Sequence, residues 1–512
     1  MNFLKSLFFS RPAPLSYMKL GPDGSKDNPL MIQFFTWESL STGVSWWKHL
    51  ENEIPTLAEL GITQIWLPPP NKAAEKEGRG YDAYDLWDLG EFDQKGTVAT
   101  RWGSKEELLS ACRVAKEHQI DIIIDAVLNH KLGADRVEKL KAVPVDAQDR
   151  LIELEKPREI EGWTVFDFPG RGDKYSSMHW NQEHFTGVDW DQKTQTKGIY
   201  KIVGKGHRGW SKNVDRELGN YDFLLGIDID HRHPDVQQDF FAWGPWVLEV
   251  TEAVGFRLDA IKHIDRDFTR NFASGLVHTR KSTKPNMFAV AEYWSGNLNA
   301  VLPYTRTFKG ETAFFDVPLH MNFHQASQHY SRYDLRTIMN SSLVKEKPGY
   351  AVTFVDNHEC VEGQSLESWV GDHFKIQAYA LILLRGPGYP CVFYGDLYPN
   401  PECYSEHIAR GVRSLIKARK LFAYGAFQDY YSSDKNCIGF VRMGDATHSG
   451  CAVVLSNREG DYVHSLRMKV GKAHAGTTFQ SYLTADGRVE IDSQGWAEFT
   501  CFAGSAQVWV KL

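Results

Sequence analysis

A chain of 512 residues, 42% hydrophobic and 24% charged, has the length for two or three domains and an ordinary globular composition. A net charge of −7 and a pI near 6.3 argue against nucleic acid or an anionic membrane as the main partner. No stretch approaches a membrane span, and the opening MNFLKSLFFSRPAP, cut by Lys5 and ended by Arg11 and Pro12, is too short an apolar patch for a signal sequence. Seven cysteines without a CxxC or an even framework read as free thiols in a reducing compartment, so a cytoplasmic location is expected. Sixteen Trp and 21 Tyr suit ligands with apolar faces, such as sugars, although most aromatic residues fill core.

In chain order, the first apolar run is LMIQFFTW (30–37). A helix follows over 45–61, SWWKHLENEIPTLAELG, stopping on Gly61 as a helix C-terminus should. ITQIWLPP (62–69) is a second strand, and SKEELLSACRVAKEH (104–118) a helix opened by a capping box, Ser104 and Glu107. IDIIIDAV (120–127) is the third strand. GFRLDAI (255–261), MFAVAEYW (287–294), AFFDVP (313–318), AVTFVDNH (351–358) and CVFYGD (391–396) complete eight. Near-continuous apolarity marks strands buried on both faces. Eight of them alternating with helices predict a (β/α)8 barrel, with a doubly wound open sheet as the alternative on pattern alone. The connection over 129–234 is far too long for a barrel loop and is rich in Gly, Asp and Trp, so a loop-rich inserted domain is expected there. Beyond 424, CIGFVRMG, CAVVLSN, SLRMKVG, TTFQSYL, RVEID and AQVWVKL predict a small all-β domain. The expected organisation is barrel over 1–128, insertion over 129–234, barrel again over 235–424, and a C-terminal β domain over 425–512.

Barrel active sites sit at the C-terminal strand ends. Asp125, Asn129 and His130 fall at the third strand's end, and Arg257, Asp259, Lys262 and His263 at the fourth's. Glu292 ends the fifth, and Asp356, Asn357 and His358 the seventh. A lone strand-end carboxylate is usually a cap or an ion pair. Three carboxylates converging with an Arg and two His point to chemistry. Paired carboxylates without a Cys or Ser nucleophile fit glycoside hydrolysis. Arg257, two residues before Asp259 and on the same strand face, would keep it ionised as a nucleophile requires. Glu292, between Ala291 and Tyr293 and close to Trp294, has the apolar setting that raises a carboxyl pKa and suits a proton donor.

DAVLNH, GFRLDAIKH, VAEYW and FVDNHE together resemble the four conserved regions of the α-amylase family, glycoside hydrolase family 13, in the family's order. GYDAYDLWDLGEF (80–92) and GNYDFLLGIDIDHRHPDV (219–236) resemble the liquefying bacterial and intracellular fungal members. The resemblance implies that Asp259 is the nucleophile, Glu292 the general acid/base, and Asp356 the holder of the distorted sugar. It implies that His130, His358 and Tyr81 meet that sugar, and that Arg257 orients the nucleophile. Lys262, His263 and Trp294 are expected among the substrate contacts, the first two on the leaving-group side.

The expected reaction is retaining endo-hydrolysis of α-1,4 bonds in starch- or glycogen-like glucans by a monomer. Transfer of the same covalent intermediate to a sugar acceptor stays open, as does, with far less support, a non-catalytic glucan-binding protein. Asn129, Asp222 and Asp228 are hard oxygen donors suited to Ca2+, and the resemblance adds the His263 backbone carbonyl. One structural calcium is expected. Some relatives hold further ions nearby, but two of those ligand positions fall here on Thr186 and Gly209, so the extended cluster is expected to be missing.

Overall fold

The computed structural model describes residues 28–279, 288–308, 312–484 and 487–512. The apolar patch at the start of the chain lies outside the described residues. Eight parallel strands close into a barrel: β1 Met31–Gln33, β2 Gln64–Trp66, β3 Asp121–Ala126, β4 Gly255–Leu258, β5 Phe288–Ala291, β6 Ala313–Phe315, β7 Ala351–Phe354 and β8 Tyr389–Phe393. Each pairs with its neighbours in sequence, and β1 closes the ring against β8. The open-sheet alternative is thereby excluded. Strands are shorter than their apolar runs because each run continues into the loop at the barrel mouth, where its polar residues sit.

Among the described residues eight helices of ten residues or more surround the barrel: α1 Trp46–Leu60, α2 Lys105–Glu117, α3 Pro234–Thr251, α4 Arg266–Thr279, α5 Leu298–Thr307, α6 Val317–His329, α7 Asp372–Leu384 and α8 Glu406–Phe422. The Ser45 side chain caps α1, and Gly61 ends it at φ 109°, a left-handed value that only glycine adopts without strain. The capping box of α2 forms in both directions, Ser104 to Glu107 and back. β4 begins on Gly255 because a Cβ there would lie 1.6 Å from the Phe288 carbonyl oxygen.

The insertion is more regular than its Gly- and Asp-rich composition predicts. It holds a six-stranded antiparallel sheet in the order 130–131, 227–229, 185–191, 196–202, 136–145 and 158–165. Its first and last strands pair, Asp228 opposite His130, so the chain leaves and re-enters at one neck. The C-terminal strands form a six-stranded sheet and a separate two-stranded one. Phe427–Tyr431 and Trp496–Phe502 are strands the apolar pattern did not reveal. The first is a half-exposed edge, and the second alternates buried and exposed residues over a short span. Among the described residues no helix is long and apolar enough to cross a membrane, and all seven cysteines are free.

Candidate active site

The register of β3, β4 and β5 assembles the site. Arg257 lies opposite Asp125 on one side and Val290 on the other. The ladder runs one residue past each strand, with Asp259 N–H donating to the Ala126 carbonyl and Glu292 N–H to the Leu258 carbonyl. Asp259 and Glu292 are thus held side by side at the mouth. The next residue, Ala260, has φ 49°, a left-handed strain of about 1–3 kcal/mol held by the surrounding structure.

Arg257, 1% exposed, is the hub. Its Nη1 donates to Asp125 Oδ1 at 2.8 Å and to Asp259 Oδ1 at 2.6 Å, and its Nη2 to Glu292 Oε2 at 2.5 Å. Asp125 Oδ2 also accepts from Tyr81 at 2.7 Å and from the Trp66 indole at 3.0 Å. Burial raises the Asp259 carboxyl to about 6; Arg257 opposes this and Asp125 adds to it. Arg257 thus favours the ionised form, yet burial is the larger influence and leaves the carboxyl above its ordinary value, ionised above about pH 6. Burial also raises Glu292, again against Arg257 and with Asp259 adding to it.

Tyr81, Trp37 and His358 form a stack beside the carboxylates. Tyr81 and His358 lie 5.2 Å apart at 12°, and Trp37 lies 5.7 Å from each. His358 Nδ1 contacts Gln33 Nε2 at 3.0 Å, and His130 Nε2 contacts the Tyr81 carbonyl at 2.9 Å. Burial lowers both histidines, His130 to about 4, so their rings are neutral at pH 7. Asp356 is gripped from behind: Lys375 Nζ of α7 lies 3.1 Å from it and 2.8 Å from Asp396. Lys262 is ion-paired with Glu217 of the insertion and donates to the Trp294 carbonyl at 3.4 Å, while the Trp294 ring lies half-buried. The His263 ring is tied to Tyr221 of the insertion through Nδ1 at 2.8 Å.

Sequence reasoning placed Asp125 at a strand end without assigning it a task, and missed Lys375, Asp396 and Trp37. Lys375 had a signal, being the single charge in the apolar run FKIQAYALILL (374–384). Trp37 was visible only as the last residue of the first apolar run.

The neck of the insertion carries the expected cation ligands. Asn129 and Asp228 come together because Ile229 N–H donates to the Asn129 carbonyl. Asn129 Oδ1 and Asp228 Oδ1 are buried and accept no hydrogen bond among the described residues. Burial raises Asp222 to about 8, and raises Asp228 further with repulsion from Asp222. An orphaned amide oxygen on Asn129 and an orphaned carboxylate oxygen on Asp228, beside the like-charged Asp222, fit a hard divalent cation.

Residues 38–402 match the model of the α-amylase catalytic domain. The chain is 43% identical to an α-amylase of Geobacillus stearothermophilus, over 94% of this chain and 87% of that one. It is 39% identical to the cytoplasmic α-amylase of Escherichia coli K12, over 94% of this chain and 99% of the relative. Among solved structures, an α-amylase from Geobacillus thermoleovorans complexed with acarbose shares the fold at a TM-score of 0.61 and 18% identity, covering 95% of this chain and 98% of that one. Barrel, strand-end carboxylates and sequence kinship agree, and the chain belongs to the α-amylase family, glycoside hydrolases that open α-1,4-glucans at internal bonds.

Proposed function

We propose that the chain hydrolyses starch- or glycogen-like glucans with retention of configuration, Asp259 attacking the anomeric carbon and Glu292 protonating the departing oxygen. The observation that carries this reading is a single guanidinium, Arg257, bonded to both carboxyls. Retention needs two carboxyls about 5–5.5 Å apart, close enough that the nucleophile meets the anomeric carbon with no water between them. Two groups sharing one guanidinium meet that requirement better than the wider spacing of inverting enzymes. Asp356, tethered by Lys375, holds the distorted sugar. Tyr81 forms the floor beneath that sugar, and the neutral His130 and His358 offer hydrogen bonds to its hydroxyls. Lys262 and His263 meet the leaving-group side, and Trp294 is a further substrate contact. The test is the anomer released first from maltoheptaose, followed by NMR: the α-anomer is expected, and initial release of the β-anomer excludes retention.

One Ca2+ at the neck would be held by Asn129, Asp222, Asp228 and the His263 carbonyl, where it offsets buried negative charge and ties the insertion to the barrel. A single ion is supported by the contacts of two residues, Thr186 and Arg232. The Thr186 hydroxyl donates to Asp228 Oδ2. The Arg232 guanidinium pairs with Asp230 and donates to the carbonyls of Gly209 and Trp210, supplying a positive charge of the chain's own. Seven free thiols and the E. coli relative's name support a cytoplasmic location. The enzyme is read as a monomer, which light scattering of the purified chain checks.

A further inference from the structure

We infer that Cys360, His320 and Asp356 form a second cation site, for a borderline or soft divalent ion such as Zn2+, and that its occupancy stops turnover. His320 comes from α6, and Cys360 follows Asp356 by four residues in the loop after β7. All three are buried, and their ligand atoms lie within 4.8 Å of one another.

Three observations carry the inference. The first is spacing. Cys360 Sγ and His320 Nε2 are 3.5 Å apart. A tetrahedral zinc with Zn–S of about 2.3 Å and Zn–N of about 2.0–2.1 Å sets the same edge at about 3.5 Å.

The second is the tautomer. His320 Nδ1 lies 2.6 Å from the Val355 carbonyl, which can only accept, so Nδ1 carries the proton and Nε2 turns its lone pair toward the Ser368 hydroxyl at 2.9 Å and the Cys360 thiol at 3.5 Å. Metal-ligating histidines are oriented in this way. Stacking on Phe354 at 5.0 Å and 12° holds the ring plane. The cluster His184, His233 and Asp235 has similar spacing but lacks this feature. There each Nδ1 accepts a backbone N–H, from Asn181 and from Asp235, which puts the proton on Nε2.

The third is charge. Lys375 sits between Asp356 and Asp396, one ammonium against two carboxylates. With both carboxylates and the Cys360 thiolate ionised and their protons released to solvent, the ammonium and one divalent ion close the group at zero. Binding replaces the Cys360 S–H contact to Asn357 Oδ1 at 3.1 Å and the Ser368 Oγ contact to Nε2 at 2.9 Å.

The loss of turnover rests on the reading of Asp356 as a sugar-holding group; the binding does not. The experiment uses the full chain with calcium present. Co2+ is the spectroscopic probe, Zn2+ is titrated for stoichiometry, and starch hydrolysis is followed in parallel. Expected are a thiolate-to-cobalt charge-transfer band, one Zn2+ bound with the affinity at which activity is lost, and Zn2+ displacing Co2+. Cys360→Ser, or Cys360→Ala should the first express poorly, should keep basal activity, lose the band and need at least tenfold more Zn2+ for inhibition. No thiolate band in the parent chain overturns the site. So does a variant that keeps the band or is inhibited as readily as the parent. A band without inhibition leaves the site standing and overturns the reading of Asp356.

Discussion

Arg257 is buried beside three carboxylates, and a charge at that depth is tolerated only because every neighbour answers it. Its contacts make the assignments at the mouth separable by experiment. Asp259→Asn removes the attacking oxygen and should lower kcat on the order of 10⁴-fold or more while glucan binding, measured by calorimetry, persists. Glu292→Gln should lose about 10²–10⁴-fold on starch but far less on a glycoside whose leaving group needs no proton. Undiminished starch hydrolysis by Glu292→Gln would remove it as the acid. The pH profile follows from Asp259, which burial lifts to about 6, so kcat/KM of the free enzyme should fall as pH drops through that value. Asp125 contributes to that lift. Asp125→Asn removes a negative neighbour and frees Arg257, and both changes favour the ionised form, so the acid limb should move to lower pH. An upward move contradicts this account. The residues that carry charge at strand ends were legible, because polar side chains closing apolar runs stand out. The network among them was not, since Asp125 meets Arg257 only through the β3–β4 register.

At the scale of elements, α1 and α2 were readable to within a residue because capping is local chemistry: Ser45, Gly61, Ser104 and Glu107 satisfy backbone groups a few positions away. α7 shows the opposite case. Its run FKIQAYALILL reads as a core helix, and the purpose of Lys375 emerges only when β7 and β8 bring Asp356 and Asp396 against it. Lys375→Met should destabilise the fold by about 3–5 kcal/mol, since two buried carboxylates lose their cation. The pH dependence has a definite sign. Burial raises Asp356 to about 8 with Lys375 opposing it, so loss of the ammonium pushes that carboxyl higher still. The folded variant then holds a proton that the folded parent releases, and the deficit should grow as pH rises through about 8. Urea melts of both proteins at about pH 6 and about pH 9 measure it, and an equal deficit at the two values would show that Lys375 acts by packing alone. In the C-terminal domain the two unexpected strands mark the same limit, because edge and alternating strands depend on partners that sequence does not display.

At the scale of the molecule, the neck between barrel and insertion buries the carboxyls of Asp222 and Asp228 together, which raises both and leaves them short of a cation. A Ca2+ bound only to the folded chain stabilises it by mass action, about 2.7 kcal/mol at a hundredfold excess over Kd. Chelation should therefore lower Tm and added calcium restore it, with one calcium per chain by elemental analysis. A melting curve indifferent to chelator removes the calcium. Two or more tightly held ions at the neck contradict the reading of Thr186 and Arg232.

By itself the sequence determined the barrel, the insertion point, the C-terminal β domain and the polar residues at the mouth. These follow from hydrophobic period, caps and the rule that strand ends face one rim, all of which act over a few residues or repeat along the chain. Only the tertiary structure decided that the insertion is a six-stranded sheet, that Arg257 joins two carboxyls, that Lys375 stands behind Asp356, and that His320 turns a lone pair toward Cys360. Each of those pairs residues from different strands, helices or loops, and the burial that raises their carboxyls comes from side chains scattered through the whole chain. Register and burial are properties of the folded assembly, and no local pattern encodes them.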